Sequence, residues 1–287
     1  MRLARSAAVA AATTTLVAGT ALAATAITGG EVDSANTYKN VGMIAFYEDG
    51  GRYRCTATLV TPTVLLTAAH CTADVKGKVA VTFQWKVADA PPSGLPVAAD
   101  PNAGYTGTES TAYAFGTPHA HPQYSNFTDL KNWNDVGVVV LDQPVTGITP
   151  AKLAPKNYLN QYTPDILNKE LFRIVGYGTE VRQDAAANGN MKPTPMSYPI
   201  VRRYADSPGQ KLTPQILQTN GNEHDNRGTG GSCFGDSGGP TFKNGYQVTV
   251  TSYGYTSNCR YLDGLQRVDI PVVQDWLATY GVTPAAG

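Results

Sequence analysis

Three short stretches carry side chains whose types and order could do acyl-transfer chemistry. The most specific is Gly231-Ser232-Cys233-Phe234-Gly235-Asp236-Ser237-Gly238-Gly239-Pro240. A serine set between Gly-Asp and Gly-Gly-Pro presents one hydroxyl on a tight turn, because glycine permits conformations and close approaches that a Cβ blocks. Such a turn also leaves the N–H groups of Gly235 and Ser237 unpaired and pointing the same way. Two converging donors are what a developing oxyanion requires, and losing one typically costs about 3 to 4 kcal/mol. The second stretch is Leu65-Leu66-Thr67-Ala68-Ala69-His70-Cys71, an apolar run ending on a histidine. Neutral imidazole, with an ordinary pKa of about 6.5, is suited to accept a serine proton and pass it to a leaving group. The third, Asn134-Asp135-Val136-Gly137-Val138-Val139-Val140-Leu141, puts a carboxylate at the edge of a buried strand. Asp129 and Asp142 lie in more polar or turn-like surroundings, which makes Asp135 the choice. A serine hydroxyl is a weak nucleophile and needs an adjacent base, which a third group must orient.

The rest of the chain has to position these groups. It has 287 residues, 42% hydrophobic and 15% charged, enough for one large domain or two small ones. The 29 Gly and 19 Pro, among many Thr, Val and Tyr, favour short strands and turns over long helices. Lys+Arg and Asp+Glu balance at 22 each, so there is no bulk basic signal for nucleic acid. Residues 41–46, 57–61, 172–178 and 241–255 read as strands, and Glu48-Asp49-Gly50-Gly51 as a hairpin turn. Residues 271–280 read as a short helix with Val272, Val273, Trp276 and Leu277 on one face. Residues 88–116 have loop composition, and residues 180–192 are polar. His119 and His121 sit two apart, a spacing that could suggest a metal, but no Cys-x-x-Cys accompanies them.

The first residues bear on compartment. A positive start, Met1 to Arg5, precedes an Ala/Thr/Val/Leu stretch that ends in Ala21-Leu22-Ala23 and Ala24-Thr25-Ala26. This reads as a secretory signal peptide over residues 1–26, cleaved after Ala23 or Ala26. Cleavage after Ala26 would export a chain beginning at Ile27; cleavage after Ala23 would leave a short propeptide, Ala24 to Ala26. The four cysteines, an even number in an exported chain, favour two disulfides. Several connectivities are open, and local pairing of Cys55 with Cys71 and Cys233 with Cys259 is the simplest. Asn126-Phe127-Thr128 is a glycosylation acceptor only in a eukaryotic host. The low charge and Ala-rich leader have a bacterial look.

From about Ile27 to the C-terminus, these motifs resemble the chymotrypsin-like (trypsin-fold) serine proteases. The loop around Ser237 resembles that family's nucleophile loop, and Thr-Ala-Ala-His-Cys at 67–71 its histidine motif. The stretch at 134–141 resembles the family's Asn-Asp-Ile-Ala-Leu-Leu, with Val-Gly in place of Ile-Ala. Gly176-Tyr177-Gly178 and Ser252-Tyr253-Gly254 resemble its Gly-Trp-Gly and Ser-Trp-Gly, with Tyr for Trp in both. The resemblance implies an all-β fold: two six-stranded antiparallel Greek-key β-barrels packed together, with a short C-terminal helix. The first barrel is expected over about 27–150, the second over about 151–270 and the helix over about 271–280.

The same resemblance implies Ser237 as nucleophile, His70 as base and Asp135 as its orienting carboxylate, in the family's chain order. Gly235 and Ser237 would supply the oxyanion hole, and the local disulfide pairing is also the family's. Ile27-Thr28-Gly29-Gly30 resembles the mature N-terminus, whose α-amino group would pair with buried Asp236. Gly231 falls at the base of the primary pocket, with Gly254 and Gly264 on its walls. Ser252 would support Asp135, and Ser252-Tyr253-Gly254 would pair with an extended peptide. With no carboxylate at 231, a large apolar or aromatic P1 residue is expected; Asp263, beside Gly264, would restore a basic preference if it reached in. The expectation is a secreted, monomeric endopeptidase acting on protein or peptide substrates. It would need no cofactor or metal, be open to proteinaceous inhibitors, and have no nucleic-acid partner and no membrane partner after signal removal. The alternatives are a catalytically silent binding protein on the same fold and a secreted esterase.

Overall fold

Short strands, several of them buried on both faces, build two barrels. The structure, a computed structural model, describes residues 27–179 and 196–286. The leader and the polar stretch at 180–192 lie outside the described residues. In chain order the strands are β1 (Glu31–Val32), β2 (Val41–Glu48), β3 (Gly51–Thr61), β4 (Val64–Thr67), β5 (Lys76–Thr82), β6 (Lys86–Ala88), β7 (Ala114–Ala120) and β8 (Gly137–Leu141). They continue with β9 (Lys152–Leu153), β10 (Leu171–Gly176), β11 (Ile200–Val201), β12 (Arg203–Leu212), β13 (Ile216–Asn220), β14 (Pro240–Lys243), β15 (Tyr246–Gly254) and β16 (Leu262–Arg267). The first barrel closes in the order β2-β3-β4-β8-β7-β5. The second runs β12-β10-β14-β15-β16-β13 and closes through the β12–β13 pairing. Both rings are antiparallel; the small β9 is an addition that pairs parallel to β15.

Local chemistry explains the turns and the cores. Asp49 and Gly50 link β2 to β3 with φ of 47° and 72°, both positive as a two-residue hairpin turn of matching twist requires. Ile44, Leu59, Leu65, Val81 and Val139 fill the first barrel, and Phe172, Ile174, Leu217, Val248 and Leu265 the second. Between the barrels, Leu66, Val138 and Val250 meet Val273 and Leu277 of the C-terminal helix Pro271–Ala278.

Two connections depart from chain order. Residues 27–32, which precede the first barrel in sequence, pack with the second: Ile27 is buried in its core, Thr28 bridges Gly231 and β1 pairs with β12. The cause is pairing with residues some 170 positions later, Glu31 with Tyr204 and Val32 with Arg203. Arg202, paired with Asp33 beside this segment, then reaches the first barrel. Arg202 Nε donates to Asp33 at 2.8 Å, both side chains being fully buried, and Arg202 Nη1 donates to the carbonyls of Val41 and Phe83.

The loop-like stretch after β6 is stitched to the first barrel. Ala98 and Tyr105 are buried against Tyr47 and Phe115. Tyr105 Oη donates to the Pro96 carbonyl at 2.8 Å, and Ala98 N–H donates to Tyr47 Oη at 3.2 Å. No helix among the described residues is long and apolar enough to cross a membrane.

Candidate active site

His70 lies in a single 3-10 turn, Ala69–Cys71, immediately after β4. The Cys55–Cys71 disulfide ties that turn to β3. Asp135 stands where the chain enters β8 and is completely buried. Its carboxylate accepts the His70 backbone N–H at 2.9 Å and contacts His70 Nδ1 at 2.8 Å. Its Oδ2 also accepts a 2.6 Å hydrogen bond from Ser252 Oγ, which in turn accepts one from Trp133 Nε1 at 2.9 Å. The four residues form a line, Trp133 to Ser252 to Asp135 to His70. The imidazole is 24% exposed against none for Asp135, so the ring has a free edge toward solvent while its partner does not. Burial works to depress the imidazolium, but the Asp135 charge and hydrogen bond, helped by Glu48, hold it above the ordinary histidine value.

Ser237 lines the same cavity as His70, a space of about 650 Å³. Its loop is anchored by the Cys233–Cys259 disulfide and by Asp236. Asp236 is fully buried and accepts the N–H groups of Gly178 at 2.7 Å and Cys233 at 2.9 Å. Burial pushes its carboxyl up to about 7, against those two bonds and the charges of Arg54 and Arg203. Gly235 has a φ of 98°, a conformation in which a side chain would be strained. A larger cavity, about 930 Å³, lies between Gln210–Gln215 and the start of the C-terminal helix. Arg267 there is already paired with Asp269 at 2.8 Å, and His70 and Ser237 line the smaller space.

The pocket residues are arranged differently from the sequence reading in one respect. A Cβ at Gly231 would lie 2.4 Å from Asp263 Oδ2 and 2.2 Å from Gly221 Cα. The missing side chain therefore makes room for the Asp263 carboxylate, not for open space. Asp263 accepts the Ser232 N–H at 2.8 Å, and its other oxygen is 3.9 Å from the Cβ position of Gly254. Burial pushes its carboxyl up to about 7, opposed by its bonds to Ser232 and reinforced by the Asp236 charge. Asp263 and Gly254 line the cavity; Gly264 instead lies beneath Tyr253, whose ring would be 2.2 Å from a Cβ there. The reason is strand alternation, which sends neighbours on β16 to opposite faces.

Sequence reasoning passed over several residues that the fold brings here. Phe127 lines the cavity, its ring 5.6 Å from that of His70 and 5.3 Å from that of Trp133. Tyr255 and Tyr261 also line it and pair with each other, with Tyr253 5.5 Å from Tyr255. The available signal was composition: aromatic side chains in otherwise polar stretches flanking the Asp135 and Cys259 segments.

Comparison with known proteins meets this geometry. The family description Trypsin matches residues 27–277. The chain belongs to the trypsin family. Among curated proteins, brachyurin from Leptuca pugilator is 28% identical over 262 residues, covering 90% of this chain and 100% of brachyurin. Among solved structures, HL collagenase superposes with a TM-score of 0.60 at 16% identity, covering 88% of this trypsin-family chain and 97% of the collagenase. Human heparin binding protein gives 0.58 at 18% identity, covering 91% and 99%. At such identities the two structures speak for the fold.

Proposed function

We propose that this trypsin-family protein is a secreted serine endopeptidase that cleaves peptide bonds through an acyl-enzyme on Ser237. The observation that carries the reading is the His70–Asp135 pair, closed from behind by Ser252, beside the cavity that Ser237 lines. Ser237 Oγ attacks the scissile carbonyl carbon while His70 takes its proton. The tetrahedral oxyanion is held by the N–H groups of Gly235 and Ser237. Asp135 keeps the imidazole in one tautomer and stabilises the imidazolium. His70 then gives the proton to the leaving amine, and water repeats the sequence to release the acid. None of these steps calls on a metal or cofactor.

Substrate class follows from the cavity. Beyond Val250, where its pairing with β14 ends, β15 carries Ser252-Tyr253-Gly254 along the cavity wall. An extended peptide can add there as a strand, and so can the loop of a proteinaceous inhibitor. The pocket accepts large apolar or aromatic P1 side chains against Tyr255 and Tyr261, and Lys or Arg through Asp263. HL collagenase, which shares the fold, bears a name that fits an enzyme cutting protein chains. The leader and two disulfides support export. The binding-only and esterase alternatives have less support: His70 and Asp135 are hydrogen-bonded as catalysis requires, and the cavity offers a strand edge for peptides.

Incubating the secreted protein with a diverse peptide library tests this. Cuts after aromatic, large apolar or basic residues, absent with Ser237→Ala, are expected. A folded protein that cuts no peptide would point to a binding role, and one that cuts only esters to an esterase.

A further inference from the structure

One row of β3 side chains reaches across to the second barrel. Cys55, Ala57 and Leu59 point into the first barrel's core, so strand alternation sends Arg54 and Thr56 the other way. Thr56 is fully buried. Its Oγ1 donates to the Gly235 carbonyl at 2.9 Å and accepts the Tyr177 N–H at 3.0 Å. Its own N–H donates to the Ser237 carbonyl at 2.8 Å, and its carbonyl accepts Thr67 Oγ1 at 2.8 Å. Gly235 and Ser237 are the two residues read above as oxyanion donors. Both present their carbonyls to one threonine on the other barrel.

Arg54 completes the contact. It is 3% exposed, with Nη1 donating to the Ser197 carbonyl at 2.7 Å. Its Nε and Nη2 are buried without a hydrogen-bond partner among the described residues. Nε lies 3.1 Å from where a Cβ on Gly235 would stand. The residue between Gly235 and Ser237 is the buried Asp236, and its charge and that of Arg54 act on each other. A guanidinium left short of hydrogen bonds in the interior is costly unless a charge of opposite sign compensates it.

We propose that Thr56 and Arg54 are positioning residues for the oxyanion hole. Thr56 fixes the peptide groups around Gly235 and Ser237 so that their N–H groups face the cavity, and Arg54 packs beside Gly235 and, together with Arg203, offsets the Asp236 charge beneath them. The proposal rests on the peptidase reading above. It separates transition-state binding from substrate binding: a loop free to rotate loses its hold on the oxyanion but not on the peptide strand along Ser252–Gly254.

The test compares Thr56→Val, which keeps the shape and removes the hydroxyl, with Thr56→Ser, which keeps the hydroxyl. Rates are taken per active site titrated with an acylating reagent, so a partly unfolded preparation does not count. In Thr56→Val, kcat for a peptide amide should fall about 10- to 100-fold, somewhat less than outright loss of a donor, with KM nearly unchanged. Affinity for a peptide aldehyde, which forms a tetrahedral oxyanion on the serine, should fall in parallel. Thr56→Ser should restore both. Arg54→Met should move kcat and aldehyde affinity the same way, and Arg54→Lys should recover them; this pair carries the test if Thr56→Val does not fold. An active wild type whose Thr56→Val and Arg54→Met forms keep kcat and aldehyde affinity within about twofold, well short of a lost donor, overturns this proposal alone. A wild type inactive on all peptides overturns the reading beneath it as well.

Discussion

Asp263 Oδ2 accepts a 2.8 Å hydrogen bond from the backbone N–H of Ser232, one residue past the glycine whose missing side chain admits it. On the reading proposed above, the P1 pocket carries its carboxylate on the wall strand β16 and not at position 231. Replacing Asp263 by Ala should lower kcat/KM for a Lys-P1 peptide at least about 30-fold, the loss of roughly 2 kcal/mol expected when one partner of a buried charge pair is removed. A Leu- or Phe-P1 peptide should change little. Kinetics on matched peptides would check this.

The same carboxyl gives a pH dependence of specificity. Burial raises it to about 7, so it is neutral below that value and charged above it. Attraction for a P1 cation is therefore present above about pH 7 and fades as pH falls through it. The ratio of kcat/KM for Lys-P1 over Leu-P1 should rise with pH across this range. His70 titration affects both substrates alike and cancels in the ratio. A ratio flat across pH 7 would remove Asp263 from P1 recognition.

In the proposed mechanism His70 sets the acid limb of activity. Its raised pKa means that the protonated, inactive form persists above the ordinary value of about 6.5. Activity should fall as pH drops through that raised value, with the midpoint above 6.5. Asp135→Asn should cost about 10⁴ in kcat, because the amide favours the wrong tautomer. A pH–rate profile of the wild type and the rate of the variant would measure both.

Ser252 should matter through Asp135. In Ser252→Ala, Asp135 Oδ2 loses a 2.6 Å donor and buried Trp133 Nε1 loses its acceptor. An unmet buried polar group costs about 1–3 kcal/mol, so unfolding free energy should fall by that amount and kcat by about tenfold. Denaturant unfolding together with kcat would show whether both change.

Much of this site was legible because its chemistry needs residues in short, dense runs. Gly231 to Pro240, Thr67 to Cys71 and Asn134 to Leu141 each hold a reactive group with the turn or strand that presents it. Both barrels also followed from the resemblance those runs carry. What stayed hidden depends on pairing between distant segments. The pairing of β1 with β12 needs Glu31 to meet Tyr204. Asp263 against Gly264 is a matter of one residue of strand phase, and one residue exchanges the faces. Thr56 reads as an ordinary strand threonine until β3 is laid against the Ser237 loop.

The buried Arg202–Asp33 pair should govern how the barrels hold together. Asp33→Asn leaves a fully buried guanidinium without its counter-charge, a change that typically costs about 3 to 5 kcal/mol. Chemical denaturation should show that loss.

The most direct measurement traps the acyl-enzyme. The protein is mixed with a peptide ester, quenched in acid and digested, and the acyl group is located by mass spectrometry. One acyl group per chain on Ser237 is expected, with none in Ser237→Ala and slow formation in His70→Ala. Peptide hydrolysis that proceeds with Ser237 never acylated, or that survives Ser237→Ala, would contradict the account.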